Sequence, residues 1–482
     1  MKQKSLKLNI IMNMLLTMSS FIFPIITFPY VSRILSPSGI GKVSFATSLI
    51  NYFLIFSQLG IPTYGIRACA KVRDNRRELT KVAHELLIIN IVMCFISYIF
   101  LFALLFFAPR FEEDKNLYII ISFTIFLSAI GMEWLYKALE QYTYITIRSL
   151  IFKFIALIAM FILIHKPSDY IIYGGISIFA SSASNILNFL NIHKYIDIKP
   201  IGKYNFKRHI KLVGVFFAMA CATTVYVNLD TLMLGFMTTE VDVGYYNAAI
   251  KIKTILVSIV TSLGAVLLPR ASYYIENKQF NKFDNIIKKS IEFVVLISVP
   301  LMIYFMIYAK ETIIFLSGDA YIGAIIPMQL IMPTLLLIGI TNILGIQILV
   351  PLGKEKIVLY SEIIGAVIDV IINMALIPHL ASSGAAIGTT VAELSVLIVQ
   401  FIALKKEIRN YFKNINYSRI IVAVILSALI SLTIRIFFKN IFIILLLSAF
   451  IFFGIYFIYL LIKKEMLIIE IYNIIKGKIC KK

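Results

Sequence analysis

Charge is scarce in this chain. Only 15% of its 482 residues are Asp, Glu, Lys or Arg, while 60% are hydrophobic. A soluble domain could not cover that much apolar surface with so few charges. Long polar connections are missing too: no loop between apolar stretches exceeds about 20 residues, which excludes a separate soluble catalytic domain. There is no GxSxG, HExxH, Walker loop or CxxC, so no hydrolytic or redox motif stands out. The four cysteines (Cys69, Cys94, Cys221, Cys480) show neither a pairing pattern nor metal spacing and read as small apolar residues. The five histidines (His84, His165, His193, His209, His379) are scattered at helix ends or in loops, where they are expected to be interfacial or solvated. The single tryptophan, Trp134, is expected to anchor a membrane interface.

What the chain has instead is a run of apolar stretches of membrane-spanning length. Each crossing needs about 20 mostly apolar residues. Fourteen candidates fall near 10–32, 43–66, 84–108, 117–136, 149–166, 170–192, 210–235, 243–269, 289–309, 324–351, 356–378, 384–404, 418–438 and 440–462. The first has no small-residue cleavage site and reads as a retained helix, not a signal peptide. With the N-terminus inside, thirty-six of the 46 Lys and Arg fall in cytoplasmic segments and eight in outer loops; Lys251 and Lys253 remain within a helix. That asymmetry fixes an expected orientation with both termini cytoplasmic. The net charge of +21 is then mostly a topology signal, and no basic, aromatic-interleaved soluble domain points to nucleic acid. The fold class expected is all-α integral membrane.

The chain also carries a faint internal echo. Ile40-Gly41-Lys42-Val43-Ser44-Phe45-Ala46 is answered six helices later by Val243-Gly244-Tyr245-Tyr246-Asn247-Ala248-Ala249. Six is an even number, so the repeats point the same way through the membrane. This predicts two six-helix lobes, residues 1–200 and 201–410, related by a pseudo-twofold axis along the membrane normal around a central cavity, with two further helices and a tail in 411–482. Pro24, Pro29, Gly60, Pro62, Pro300, Pro327 and Pro333 interrupt the spans. They serve either as packing kinks or as bending sites for alternating access.

Ionisable residues inside spans are costly and usually face a cavity or a partner. Asp230 lies near the outer end of the seventh helix, and Lys251 or Lys253, on different faces of the eighth, is expected to reach it. Glu362, Asp369 and Asn373 are spaced to share one stripe of the eleventh helix, and Thr389 and Glu393 follow on the twelfth. Carboxylates facing hydroxyls and an amide can hold a dehydrated cation or relay a proton; interhelical hydrogen bonding is the plainer alternative. The expected ion site uses Asp230, Asp369 and Asn373, with H+ or Na+ as coupling ion and no other cofactor. Arg33 and Lys42 sit at the outer end of the first helix and across its turn, Arg67 and Arg270 at inner helix ends, and Arg148 with Lys153 where the fifth helix opens from inside. Arginine suits a bidentate grip on phosphate, so cations at both mouths of a cavity would pass a phosphate-bearing headgroup; snorkelling and topology are the alternatives. Glu133 has Lys137 and Arg148 as candidate partners.

Several runs resemble one family. They are Phe28-Pro29-Tyr30-Val31-Ser32-Arg33-Ile34-Leu35 with Gly39-Ile40-Gly41, Gln58-Leu59-Gly60-Ile61-Pro62 with Gly65-Ile66-Arg67, Glu133-Trp134-Leu135-Tyr136 through Tyr144-Ile145-Thr146-Ile147-Arg148-Ser149, Asp230, and Gly384-Ala385-Ala386-Ile387-Gly388-Thr389. In this order they look like the Wzx-type polysaccharide repeat-unit flippases of the multidrug/oligosaccharidyl-lipid/polysaccharide exporter superfamily. The resemblance covers nearly the whole chain. It implies a non-enzymatic carrier in the bacterial cytoplasmic membrane that moves undecaprenyl-pyrophosphate-linked oligosaccharide from inner to outer leaflet for O-antigen or capsule assembly. Its implied partners are membrane lipids, a polysaccharide polymerase and a chain-length regulator. The related lipid II flippases have an ion site on helices 7, 11 and 12, and Asp230, Asp369 and Asn373 fall in comparable places. A multidrug or cation antiporter and a lipid II or teichoic-type precursor flippase are the rival readings within the superfamily.

Overall fold

The computed structural model describes residues 6–404, 411–412, 415–465 and 467–469, and every regular element among them is helical. Cys480 and the basic residues of 1–5, 405–410, 413–414 and the far tail lie outside the described residues. Among the described residues, ten helices are long and apolar enough to cross a membrane, or eleven if the bent pair Asp319–Ile331 and Thr334–Leu349 counts as one span. The chain divides into two compact units, Met1–Gly244 and Tyr245–Lys482. That boundary falls one long helix later than the repeat boundary read at 200/201.

The first unit opens with α1 (Leu6–Gln58), whose 53 residues carry both of the first two expected spans. Straight, it would run about 80 Å, far beyond a hydrocarbon core of about 30 Å. It breaks at Ser36 (φ 61°, ψ 172°). The cause is local: Pro37 follows, and a residue before proline is pushed out of the helical region. The second arm ends at Leu59 (φ 45°) and Gly60 (φ 71°), both at positive φ. A short α2 (Ile61–Lys71) then begins, with Pro62 in its first turn where its missing N–H costs nothing.

Next come α3 (Arg76–Phe107), α4 (Lys115–Gly131), α5 (Glu133–Ala138) and α6 (Tyr142–Leu163). The Asn75 side chain accepts the Glu78 N–H at 3.2 Å and starts α3 eight residues before the apolar run does. Met132 (φ 42°) separates α4 from α5, splitting what reads in sequence as one span. α7 (Tyr170–Ile178), a π-helical turn at Phe179–Ala183 and α8 (Asn185–Asn191) follow, then α9 (Lys207–Met237). α1 packs on α3, α4, α6 and α9.

The second unit takes most of α10 (Glu240–Glu276), then α11 (Phe280–Ile307), α12 (Ala309–Ser317), α13 (Ile325–Ile331) and α14 (Thr334–Asn342). Pro333 caps α14 and sits at the 43° bend of the broken span. α15 (Glu355–Ala403) is the counterpart of α1: 49 residues, two expected spans, broken at Ala381 (φ 46°, ψ −124°). α16 (Tyr417–Leu432), α17 (Ile434–Phe437) and α18 (Ile441–Ile462) close the described chain, with α16 and α18 packed on each other and both touching α11.

One contact joins the two echoed motifs. A Cβ on Gly41 would lie 1.7 Å from the Glu240 carbonyl oxygen, and a Cβ on Gly244 would lie 2.0 Å from the Pro37 carbonyl oxygen. Each glycine meets the carbonyl four residues before the other. Only residues without a Cβ allow two backbones to approach so closely.

Candidate transport site

In the first unit, buried cations mostly meet carboxylates. Lys42 lies 3.0 Å from both Glu113 and Asp114, and its ammonium sits 5.2 Å from the centre of the Tyr170 ring, while the Tyr170 hydroxyl donates to Asp114 at 2.6 Å. The Lys42 side chain is 15% exposed. Arg148 is buried. It donates to Glu133 at 3.1 Å, to Asn185 at 3.4 Å and to the Ser184 hydroxyl, and Glu133 also pairs with Lys137 at 2.8 Å. Both partners expected for Glu133 are therefore engaged, and Arg148 is enclosed by protein instead of standing at a mouth.

A third cluster had no sequence signal. Glu85, fully buried, accepts from Arg208 Nε and Nη2 at 2.8 and 2.6 Å and from the Asn205 backbone N–H at 2.7 Å. His209 Nε2 stands 2.7 Å from the same carboxylate, and its Nδ1 stands 2.7 Å from the Tyr64 hydroxyl. A proton on Nε2 satisfies both contacts, with Tyr64 donating to Nδ1. His209 is thus buried in a network that ties α2, α3 and the start of α9 together; it is not the solvated loop residue expected. Trp134 is likewise 3% exposed and lies against Gly65, so it fills a core and does not sit out at an interface.

Lys153 behaves differently. The sequence reading put it at the inner opening of a helix beginning near 149, but α6 begins at Tyr142. Lys153 is eleven residues from the start and ten from the end, about 15 Å from either. Its ammonium donates to the Ser19 and Ser20 hydroxyls at 2.8 and 3.0 Å. Asp230 is buried in α9, half a turn beyond Asn228, whose side chain meets Asn51 of α1 at 3.2 Å. Arg33 and Arg67 are exposed.

In the second unit, α15 folds back on itself through glycines. A Cβ at Gly384 would lie 2.7 Å from the Leu376 carbonyl; one at Gly388 would lie 2.1 Å from Asn373 Oδ1 and 3.1 Å from Asp369 Oδ1. Asp369 and Asn373 are buried, 2% and 0% exposed. One residue along, the Thr389 hydroxyl lies 2.8 Å from that of Tyr246 and donates to the Ala385 carbonyl at 3.0 Å. Glu393, one turn on, is buried as well. Glu362 is a correction: it is exposed, because the buried stripe of this arm steps by four through Ser361, Gly365, Asp369, Asn373 and Ile377. Glu362 lies one residue, about 100°, off that stripe. Lys251 and Lys253 are half-buried on α10, and Arg270 is exposed. The carboxylate, amide and hydroxyl oxygens gathered at the α15 hairpin are hard donors, a set that suits Na+ or a carried proton. Among the described residues no three His, Cys, Asp or Glu converge as a metal site.

Residues 6–275 match the family described as "Polysaccharide biosynthesis protein", and residues 216–375 match the family MatE. Two relatives, from Escherichia coli (strain K12) and Shigella dysenteriae, bear the name "Putative O-antigen transporter". The first is 26% identical over 73% of this chain and 85% of its own length; the second is 24% identical over 83% and 100%. Among solved structures, "Lipid II flippase MurJ, inward closed conformation" superposes with a TM-score of 0.71 at 17% identity, covering 93% of this chain and 98% of that one, a likeness of fold. The first family match alone takes in more than half of the residues. The chain therefore belongs to the polysaccharide biosynthesis protein family, as a Wzx-type member of the multidrug/oligosaccharidyl-lipid/polysaccharide exporter superfamily, and is a multi-span transporter rather than an enzyme.

Proposed function

We propose that this protein carries undecaprenyl-pyrophosphate-linked oligosaccharide repeat units from the inner to the outer leaflet of the bacterial cytoplasmic membrane by alternating access, driven by inward movement of H+ or Na+. A sugar pyrophosphate cannot cross hydrocarbon with its charges and hydroxyls unsatisfied; the protein supplies a shielded polar path. The observation that carries the reading is polar side chains buried within long apolar helices in a chain of this family, above all Asp369 and Asn373 in the α15 hairpin. Asp369, Asn373 and Thr389 are the core of the ion site, with Glu393 in a supporting role. Arg33, Arg67 and Arg270, exposed, and Lys251 and Lys253, half-buried, are the cations that meet pyrophosphate. Lys42 and Arg148 keep the helices that carry them in place.

The crossings number fourteen in this reading. Ten helices pass by length; α1 and α15 each fold into two; the bent pair at Pro333 and the 17-residue α4 add one each. Residues 1–200 and 201–410 form the two six-helix repeats and 411–482 the C-terminal pair, with both termini cytoplasmic. The reciprocal Gly41 and Gly244 contacts support the repeat. A polymerase and a chain-length regulator are the partners that would use the product. The MatE match over 216–375 favours, as second reading, a multidrug or cation antiporter; the fold likeness to a lipid II flippase keeps a cell-wall precursor in play.

Reconstitution decides between them. Proteoliposomes holding the full chain and a fluorescent lipid-linked oligosaccharide should expose the headgroup on the opposite leaflet faster under an imposed Na+ or proton gradient. No headgroup movement under either gradient, or uptake of small cationic dyes instead, overturns the proposal.

A further inference from the structure

Lys153 is a cation of the first unit that stands outside the ion pairs described above. Lys42 has Glu113 and Asp114; Arg148 has Glu133, itself shared with Lys137. Among the described residues, no carboxylate is ion-paired to Lys153. Its partners are two neutral hydroxyls, Ser19 at 2.8 Å and Ser20 at 3.0 Å. Its place makes this expensive. It sits at the centre of a 22-residue helix, about 15 Å from each end. An intramembrane lysine usually marks a substrate or ion path.

The seam around it is built. α1 and α6 are pinned below by Thr146 donating to the Met12 carbonyl at 2.9 Å and above by Tyr30 donating to the Ile164 carbonyl at 2.9 Å. Between these pins the Ser20 side chain is exposed and Lys153 is half-buried. An ammonium can donate three hydrogen bonds. Two go to serine oxygens, whose own hydroxyls donate to the Leu16 carbonyl at 2.6 and 3.3 Å, so the third ammonium proton is the one left for an anion.

We propose that Lys153, Ser19 and Ser20 form an anion subsite that receives a phosphate of the isoprenyl-pyrophosphate cargo half-way across the membrane. It deepens the transport reading above: the exposed arginines would receive the headgroup at the membrane faces, and Lys153 would hold it where desolvation is costliest.

The test uses the full chain in two arms. In proteoliposomes, Lys153→Met should slow headgroup translocation by about ten- to a hundredfold, the effect of losing one or two charge-assisted hydrogen bonds. Lys153→Arg should stay within about threefold, and Ser19→Ala with Ser20→Ala should fall between. In detergent, farnesyl pyrophosphate should raise the melting temperature of the native protein, whereas farnesol, with the same tail and no phosphate, should not; Lys153→Met should lose the difference. Wild-type translocation by Lys153→Met overturns the subsite. So does loss of transport with the pyrophosphate response intact, which would make Lys153 a helix lock. Failure of Lys153→Arg together with an altered pH profile would make it a proton carrier and overturn the subsite too. If the native protein moves no headgroup, the transport reading falls and the melting arm alone decides the subsite.

Discussion

The two long hairpins handle polarity in opposite ways. In α1, bent at Ser36, the first charge past the turn is Lys42, and it is matched at once by Glu113, Asp114 and the Tyr170 hydroxyl network. Backbone packs on backbone there, Gly41 against the Glu240 carbonyl. In α15, bent at Ala381, the glycines close on the other arm, and Gly388 lies over side-chain oxygens, those of Asn373 and Asp369, with the Thr389 and Tyr246 hydroxyls beside them. A matched ion pair is a lock, since neither member gains from a third charge. A carboxylate set among amide and hydroxyl oxygens presents donors that a small cation or a proton would satisfy. The lesson is that a charge in a membrane helix points to transport according to its neighbours, not its presence.

The sharpest way to break this contrast is Asp369→Ala. Headgroup movement under an imposed gradient should fall by about a hundredfold, equivalent to about 2.7 kcal/mol, while the melting temperature in detergent changes little. Lys42→Met should do the reverse, losing stability and keeping the dependence on the gradient. Gradient-driven flipping at the native rate in Asp369→Ala would put both hairpins on the same structural footing.

Next in size is the buried pair of the first unit. Glu133→Gln leaves the Arg148 guanidinium, 3% exposed, without its counter-charge. Losing one partner of a buried pair costs about 3–5 kcal/mol. Glu133 is itself 37% exposed and keeps contact with solvent, so about 2–3 kcal/mol is the expected loss. Adding Arg148→Met should recover part of it, because the uncompensated charge is then gone. A double variant less stable than Glu133→Gln alone would show that Arg148 contributes through Ser184 and Asn185 instead.

The same contrast marks what could be read from sequence. α18, at 441–462, falls where the apolar run predicts it within one residue, because its composition changes abruptly at both ends. α6 does not: its first seven residues, Tyr142–Arg148, mix tyrosine, threonine and arginine with two isoleucines, and no continuous apolar run announces that the helix has begun. That early start moves Lys153 from a helix mouth to the middle of the helix. Asp369 and Asn373 were legible as a pair because four residues is close to one turn. Glu362 was not separable from them by spacing alone, since seven residues is close to two turns, and neighbours decide which stripe is buried. The Glu85–His209 contact spans 124 positions of chain with no periodic signal to join them.

The smallest effect should come from the turns themselves. Ala381 holds φ 46°, ψ −124°, a conformation that crowds a Cβ against its own backbone. A strained residue of this kind stores about 1–3 kcal/mol. Ala381→Gly removes that strain but loosens the unfolded chain by about 0.4–1 kcal/mol. The net is a stabilisation of about 1 kcal/mol, visible as a small rise in melting temperature. Ser36 (φ 61°, ψ 172°) lies where glycine alone is comfortable, yet the residue takes part in further interactions, so Ser36→Gly should gain less than Ala381→Gly. Equal gains at the two sites would mean that both turns are held by their backbones alone, and the difference between the hairpins would then rest wholly on the residues flanking them.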